Sequence, residues 1–201
     1  MSRKPTSADP VLGETSLNDW NNRWRDKTES PFCPDPWLIK ILPLLPEGYV
    51  LDVACGRGRN AIFLAGQGHA VHAIDYSEEG IEQLRGETAR RQCDIIAEKI
   101  DLEHSPPLVA AAYDIVIVFF YLQRSLFPAL MQSVRPGGVM VVRTFSRAGH
   151  FPGGPRRKDF VLDPGELLQI FSGWEVLLHE EGLEPSSKGG SLAGIVARRP
   201  A

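Results

Sequence analysis

The stretch Val50-Leu51-Asp52-Val53-Ala54-Cys55-Gly56-Arg57-Gly58-Arg59-Asn60 decides how this chain is read. A short apolar run carries an acid near its end, passes through two glycines one residue apart, and opens into a helical pattern. That order predicts a strand, a tight turn and a helix N-terminus, where backbone N–H groups can approach a nucleotide-like ligand. The turn alone is ambiguous, because Gly56, Gly58 and Ala61 also satisfy the loose dinucleotide pattern G-x-G-x-x-G/A. What separates the readings is Asp52 before the turn and Asp75 after the next strand.

Working outward, the pattern alternates. Tyr49–Val53 reads as a buried strand, Arg57–Gln67 as a helix and Ala70–Asp75 as a second strand. Ser77 caps a helix running to Arg91, with Glu78 and Glu79 in the first turn, where the macrodipole favours acids. Asp94–Ile100 and Tyr113–Phe120 read as the third and fourth strands. A helix over Gln123–Val134 stops at Arg135-Pro136-Gly137-Gly138, and Val139–Phe145 is the fifth strand. Apolar runs alternating with helices indicate parallel strands covered on both faces. Toward the end, Ser146–Phe160 is a loop rich in glycine and basic residues. Asp163-Pro164-Gly165-Glu166 reads as a capped helix start with proline at the first helical position. Trp174–His179 and Leu192–Arg198 close the sheet as an antiparallel hairpin. The expected fold is α/β, a Rossmann-like doubly wound sheet of seven strands, mostly parallel.

Ahead of the core, residues 1–15 read as a flexible arm. Ser16, with Asp19 three residues on, reads as the capped start of a helix placing Trp20 and Trp24 on one face. Pro31, Pro34 and Pro36 interrupt the chain before a second helix over Trp37–Leu45. The organisation expected is one domain over 16–201: an N-terminal helical lid segment at 16–47, a cofactor-binding core at 48–145, and a substrate loop with closing hairpin at 146–201.

In open parallel sheets, ligands sit outside the carboxyl ends of the strands, where strand order reverses. Those ends collect Asp52 to Gly58, Asp75 with Tyr76, Asp101 with Leu102, and Phe119 to Tyr121. Gly56 and Gly58 leave the backbone open to close approach. Asp75 suits the two hydroxyls of a ribose. Asp101 suits an exocyclic adenine amine, with Leu102 packing on the ring. Phe120 and Tyr121 offer aromatic faces to a base or a cation.

These motifs resemble the class I S-adenosylmethionine (SAM)-dependent methyltransferases over residues 48–145. The resemblance rests on V-L-D-V-A-C-G-R-G-R-N at 50–60, A-I-D-Y-S at 73–77, K-I-D-L at 99–102 and R-P-G-G at 135–138. It implies SAM as cofactor, with S-adenosylhomocysteine as product. Asp52, Ala54 and Gly56 would lie along the methionine part, Asp75 would take the ribose, and Asp101 and Leu102 the adenine. Phe119, Phe120 and Tyr121 would close over both. Trp-x-x-x-Trp near the start and Leu-Asp-Pro-Gly-Glu-Leu after the fifth strand are similar to the tellurite-resistance and thiopurine-type methyltransferases.

The remaining candidates carry open alternatives. Cys55 reads as a small buried apolar residue more than as a reactive thiol. Asn60 is either a cofactor contact or a local hydrogen-bonding residue. Trp24 is either core or part of a lid over the sulfonium. In the loop after the fifth strand, His150 and Arg156 are candidate substrate residues, with His150 the candidate general base and Tyr121 behind it. The same loop also reads as a merely solvated basic segment. Arg143, a charge in an apolar strand, faces the pocket or pairs with an acid of the closing hairpin.

The chain has 201 residues, is 43% hydrophobic and 23% charged, and carries a net charge of −3, so composition gives no drive toward nucleic acid or anionic membrane. No segment approaches the roughly 18 apolar residues of a membrane span. Three widely spaced cysteines suit reduced thiols in the cytoplasm better than disulfides or a metal site. The expected activity is methyl transfer to a small-molecule acceptor, by a monomer or homodimer. The rival readings are a non-catalytic SAM-binding protein and a nicotinamide-dependent oxidoreductase.

Overall fold

The computed structural model describes residues 17–26, 31–104, 106–155, 157–185 and 189–201. Seven strands form one sheet: β1 Tyr49–Val53, β2 Ala70–Asp75, β3 Ile95–Lys99, β4 Tyr113–Phe119, β5 Val134–Ser146, β6 Glu175–Pro185 and β7 Ser191–Arg198. Their spatial order is β3-β2-β1-β4-β5-β7-β6. Strands β1 to β5 pair in parallel, whereas β7 runs antiparallel to both β5 and β6. The expected α/β architecture, including the antiparallel closing hairpin, is therefore what the chain adopts.

Among the described residues, six α-helices accompany the sheet: α1 Leu17–Arg25, α2 Pro36–Ile41, α3 Arg59–Gly66, α4 Glu78–Arg91, α5 Phe127–Ser133 and α6 Glu166–Ile170. Because side chains alternate across a strand, neighbouring residues of β1 enter different cores. Val50 packs with Leu38 and Ile41 of α2, Leu64 of α3 and Leu84 of α4. Leu51 and Val53 pack on the other face with Phe127 and Leu130 of α5 and Leu167 of α6.

Several boundaries differ from expectation for local reasons. The helix expected over Gln123–Val134 is a 3-10 turn at Arg124–Leu126 followed by α5, whose first turn holds Pro128. Proline suits that position because its missing N–H has no helical partner there. Likewise the second helix ends at Ile41 and continues as a 3-10 turn over Leu42–Leu44. Pro164 lies outside α6, since Gly165 takes a left-handed φ of 73° and becomes the N-cap. Glu166 then reaches back to accept a hydrogen bond from the Asp163 N–H at 2.8 Å. Ser77 caps α4 as expected, accepting from the Gly80 N–H at 3.2 Å. The arm at 1–15 and the Ser16 cap lie outside the described residues.

Arg135-Pro136-Gly137-Gly138 does not stop short of β5 but lies within it, at its amino end. Arg135 pairs with Asp114 at 2.6 Å, and Asp114 also accepts from the Tyr49 N–H at 2.8 Å. A side chain on Gly138 would meet the Asp114 carbonyl at 2.7 Å. The motif ties the amino ends of β1, β4 and β5 together, at the opposite end of the sheet from the ligand-facing strand termini.

Candidate functional site

Strand order reverses between β1 and β4, so the carboxyl ends of those two strands open the crevice where open α/β sheets take their ligands. Asp52 sits there on β1, 2% exposed. Its Oδ2 has no hydrogen-bond partner among the described residues. Burial, and then the charge of Asp75, push its carboxyl up to about 8, against the pull of the Ala61 N–H and the Arg59 charge. Ionised, a buried carboxyl group with an unused oxygen is costly on its own. It fits a site that receives a cation.

Asp75 ends β2 and is also buried. It accepts from the Gly56 N–H at 2.7 Å through Oδ2 and from the Ser77 N–H at 2.8 Å through Oδ1. Burial raises its pKa, opposed by the backbone N–H groups of Ser77, Gly56 and Tyr76. The carboxylate thus pins the glycine turn to the start of α4 while keeping lone pairs for a further donor. In the turn, Ala54, Gly56 and Gly58 have φ values of 54°, 58° and 75°. A non-glycine residue in that region is uncommon, and such strain gathers at functional sites.

A family model described as a methyltransferase domain matches residues 50–138, the span that carries Asp52, the turn, Asp75 and Asp101. Over that span the chain carries a methyltransferase domain of the class I SAM-dependent type. It is 30% identical over 144 residues to Hemagglutinin 1 of Eikenella corrodens, covering 66% of this chain and 46% of that protein. It is 25% identical over 153 residues to the probable SAM-dependent methyltransferase TehB of Haemophilus influenzae, covering 73% of this chain and 52% of TehB. The chain therefore spans about half the length of these curated relatives. The crystal structure of TehB superposes with a TM-score of 0.71 at 19% identity, over 90% of this chain and 67% of that one. A Burkholderia thailandensis 1,6-didemethyltoxoflavin-N1-methyltransferase shares the fold, with a TM-score of 0.65 at 18% identity over 93% of this chain and 85% of that one.

The residues present fit the cofactor of these methyltransferases, which carries an ammonium and a sulfonium. Asp52 offers the orphan oxygen for a positive group, and Asp75 lies one strand away. The glycines have packing reasons of their own. A side chain at Gly56 would fall 2.5 Å from the Trp24 ring, and one at Gly58 2.3 Å from Leu84. Trp24, stacked on Trp20 with centroids 6.4 Å apart, covers the turn. Its helix docks on α4 through Asn21, whose Oδ1 accepts from the Ser77 hydroxyl at 2.7 Å.

Of the other candidates, Cys55 is half-buried and its thiol is pushed well above its ordinary range by burial and then by Asp75 and Asp52, which makes it a poor nucleophile. Tyr76 lies exposed on the rim. Asp101 accepts from the Glu103 N–H at 2.9 Å and meets His104 Nδ1 at 2.8 Å. Its burial acts to raise its pKa, but the hydrogen bonds from Glu103 and His104 leave it lowered. Leu102 is buried within the core beneath it. Phe119 packs edge-on to Trp37 at 6.3 Å, and Phe120, with φ 57°, packs edge-on to Phe145 at 5.7 Å. Tyr121 donates to Gln123 Oε1. Its phenol is pushed far up, first by burial and then by Glu103, Asp101 and Asp75, so the acids of neighbouring strand ends converge on it.

Arg143 has an unexpected partner. It lies buried on β5 with its guanidinium 5.0 Å over the Trp37 ring and 3.4 Å from Asp35, the N-cap of α2. Asp35 also pairs with Arg59 at 3.1 Å, and its N–H donates to Asn60 Oδ1 at 2.9 Å. Glu180, on the closing hairpin, accepts from Trp37 Nε1 at 2.7 Å and pairs with Lys40. Asn60 is thus engaged by the N-terminal segment. The sequence reading missed Asp35; the Asp-Pro pair, an N-cap followed by proline at the first helical position, is the signal that marks it. His150 is exposed on the loop after β5, and Arg156 lies outside the described residues.

Proposed function

We propose that this chain transfers a methyl group from SAM to a small-molecule acceptor by in-line displacement. The observation that carries the reading is Asp52, a buried carboxyl group with an unpartnered oxygen at the strand-order switch, beside Asp75. When bound, SAM supplies a methyl group already activated on a sulfonium.

The protein's part is positioning and exclusion of water. Asp52 receives the ammonium, Asp75 the ribose hydroxyls, and Asp101 with Leu102 borders the adenine. The Phe120 backbone, held in the left-handed region, fixes its ring beside the crevice. Tyr121 keeps its proton because its pKa is raised, so it serves as a donor and an aromatic wall and not as a base. Trp24 and its helix form the cover over the turn. Held by Asp52 and Asp75, SAM would supply its methyl group to the acceptor's lone pair and leave as S-adenosylhomocysteine. A protonated acceptor loses its proton to His150 or to water. A small acceptor and cytoplasmic action accord with the net charge of −3 and the three free thiols.

The test is methyl transfer from radiolabelled SAM to a panel of thiols, oxyanions, phenols and carboxylates. Transfer to a panel member with stoichiometric S-adenosylhomocysteine is the expected result. Tight SAM binding with no transfer to any of them would overturn the catalytic reading.

A further inference from the structure

A second cavity lies beyond Phe145, the ring that packs edge-on to Phe120 at the end of β4. It encloses about 290 Å³, close to the lower bound for small-molecule pockets. Its apolar walls are Phe145, Phe151 and Val161, and its charged groups are Arg147 and Lys158. Ser191 adds a hydroxyl. No carboxylate lines it among the described residues.

The cavity exists because two glycine-bearing segments meet backbone to backbone. The Gly190 N–H donates to the Pro152 carbonyl at 2.7 Å, and Gly153 forms a β-bridge with Gly189. A side chain on Gly190 would strike Gly154 Cα at 2.9 Å, and one on Gly189 the Pro152 carbonyl at 2.7 Å. Both glycines are also left-handed, with φ of 83° and 80°. The loop after β5 is thereby fastened to the closing hairpin, and Arg147 and Lys158 line the cavity at its border with a cleft that holds Asp159, Asp163 and Glu166. Arg147 is braced by Asp163 at 2.8 Å, which fixes its direction while leaving its guanidinium part-exposed.

We infer that this cavity is the acceptor pocket and that it selects a small molecule with an apolar, ring-sized body and an anionic head. The body lies between Phe145 and Phe151, and the carboxylate or phosphate meets Arg147 and Lys158. This rests on the methyl-transfer reading, since Phe145, which lines the cavity, packs against Phe120 at the end of β4. Lys158 and Arg147 act as specificity residues. A charged head paired with a cation is favoured over its neutral amide by charge-assisted hydrogen bonding.

The experiment uses the full chain, first titrated with S-adenosylhomocysteine and then, loaded, with benzoate, phenyl phosphate and benzamide, followed by NMR. Both anions should bind at least roughly tenfold more tightly than benzamide, a difference of about 1.4 kcal/mol. Their relative order distinguishes a carboxylate acceptor from a phosphorylated one. Lys158→Met and Arg147→Met should each weaken the preferred anion by roughly fivefold or more with the affinity for S-adenosylhomocysteine unchanged. Lys158 is exposed, so its variant keeps the test open if loss of the Arg147–Asp163 pair disturbs the loop. Equal binding of benzamide and the anions, or anion binding indifferent to Lys158→Met, would overturn the inference. Failure of S-adenosylhomocysteine to bind would instead overturn the methyl-transfer reading on which it rests.

Discussion

Asp35 and Arg143 meet at 3.4 Å inside the protein, one from the cap of α2 and the other from β5. Their side chains are 6% and 7% exposed, and Arg59 approaches the same carboxylate from the start of α3. The N-terminal segment is thus bolted to the rim of the cofactor crevice by charge. Removing one partner of a buried pair strands the other, at a cost of about 3–5 kcal/mol. Asp35→Ala should lose about that much in urea unfolding, because it also removes the cap of α2. Arg143→Met, which leaves Asp35 its second arginine, should cost less. An Asp35→Ala loss below about 1 kcal/mol, the scale of an exposed pair, would show the cluster to be ornamental.

Asp52 couples stability to pH in the sense opposite to an ordinary salt-bridged acid. Its folded pKa, near 8, lies above the unfolded value near 3.8. Between those values the folded state holds a proton that the unfolded state has released, so stability falls as pH rises toward 8, by at most about 1.4 kcal/mol per pH unit for this group. Asp52→Asn should therefore raise the melting temperature of the ligand-free protein at pH 8 more than at pH 5, while abolishing SAM binding. Equal effects at the two pH values would contradict the burial argument.

Trp24 and Gly56 should be energetically coupled, since a methyl group at Gly56 falls 2.5 Å from the indole. Gly56→Ala should cost about 2 kcal/mol or more, part from the clash and part from a left-handed φ. In a Trp24→Ala background the clash disappears and only the backbone part remains. A double-mutant cycle by chemical denaturation measures the difference, expected in the range of about 0.5–2 kcal/mol. Strict additivity would mean that Trp24 does not rest on the turn.

Asp75→Ala removes the acceptor for two backbone N–H groups as well as the proposed ribose contact. It should lower SAM affinity by at least roughly a hundredfold, two hydrogen bonds' worth in a desolvated site. Equilibrium dialysis checks it, and affinity within a few-fold of the original would refute the ribose assignment.

Much of this was legible locally. Asp52, the turn, Asp75 and the Ser77 cap lie within 26 consecutive positions, 52–77, and each is a strand end, a glycine or a cap whose residue type states its purpose. The Asp35–Arg143 contact was not legible, because nothing near either residue names a partner in a distant element. In sequence the two glycines look like openings toward a ligand, whereas tertiary packing gives each a protein neighbour, Trp24 or Leu84. Pro164 has the sequence signature of a first helical residue, but the left-handed φ of Gly165 makes that glycine the N-cap and the helix begins at Glu166. Family resemblance supplied the cofactor; the pocket beyond Phe145 depends on two glycine segments meeting across the sheet edge, which no linear pattern encodes.

The proposed SAM site rests on Asp52 and Asp75 at the switch between β1 and β4. Calorimetric titration at pH 7 with SAM and with NADH, repeated in two buffers of different ionisation enthalpy, tests it most directly. With its pKa raised to about 8 by burial and by Asp75, Asp52 would give up its proton on meeting the incoming cation. The predicted result is micromolar SAM binding with release of about one proton, lost in Asp52→Asn, and no heat with NADH. Binding of NADH alone, or SAM binding without proton release, would contradict it.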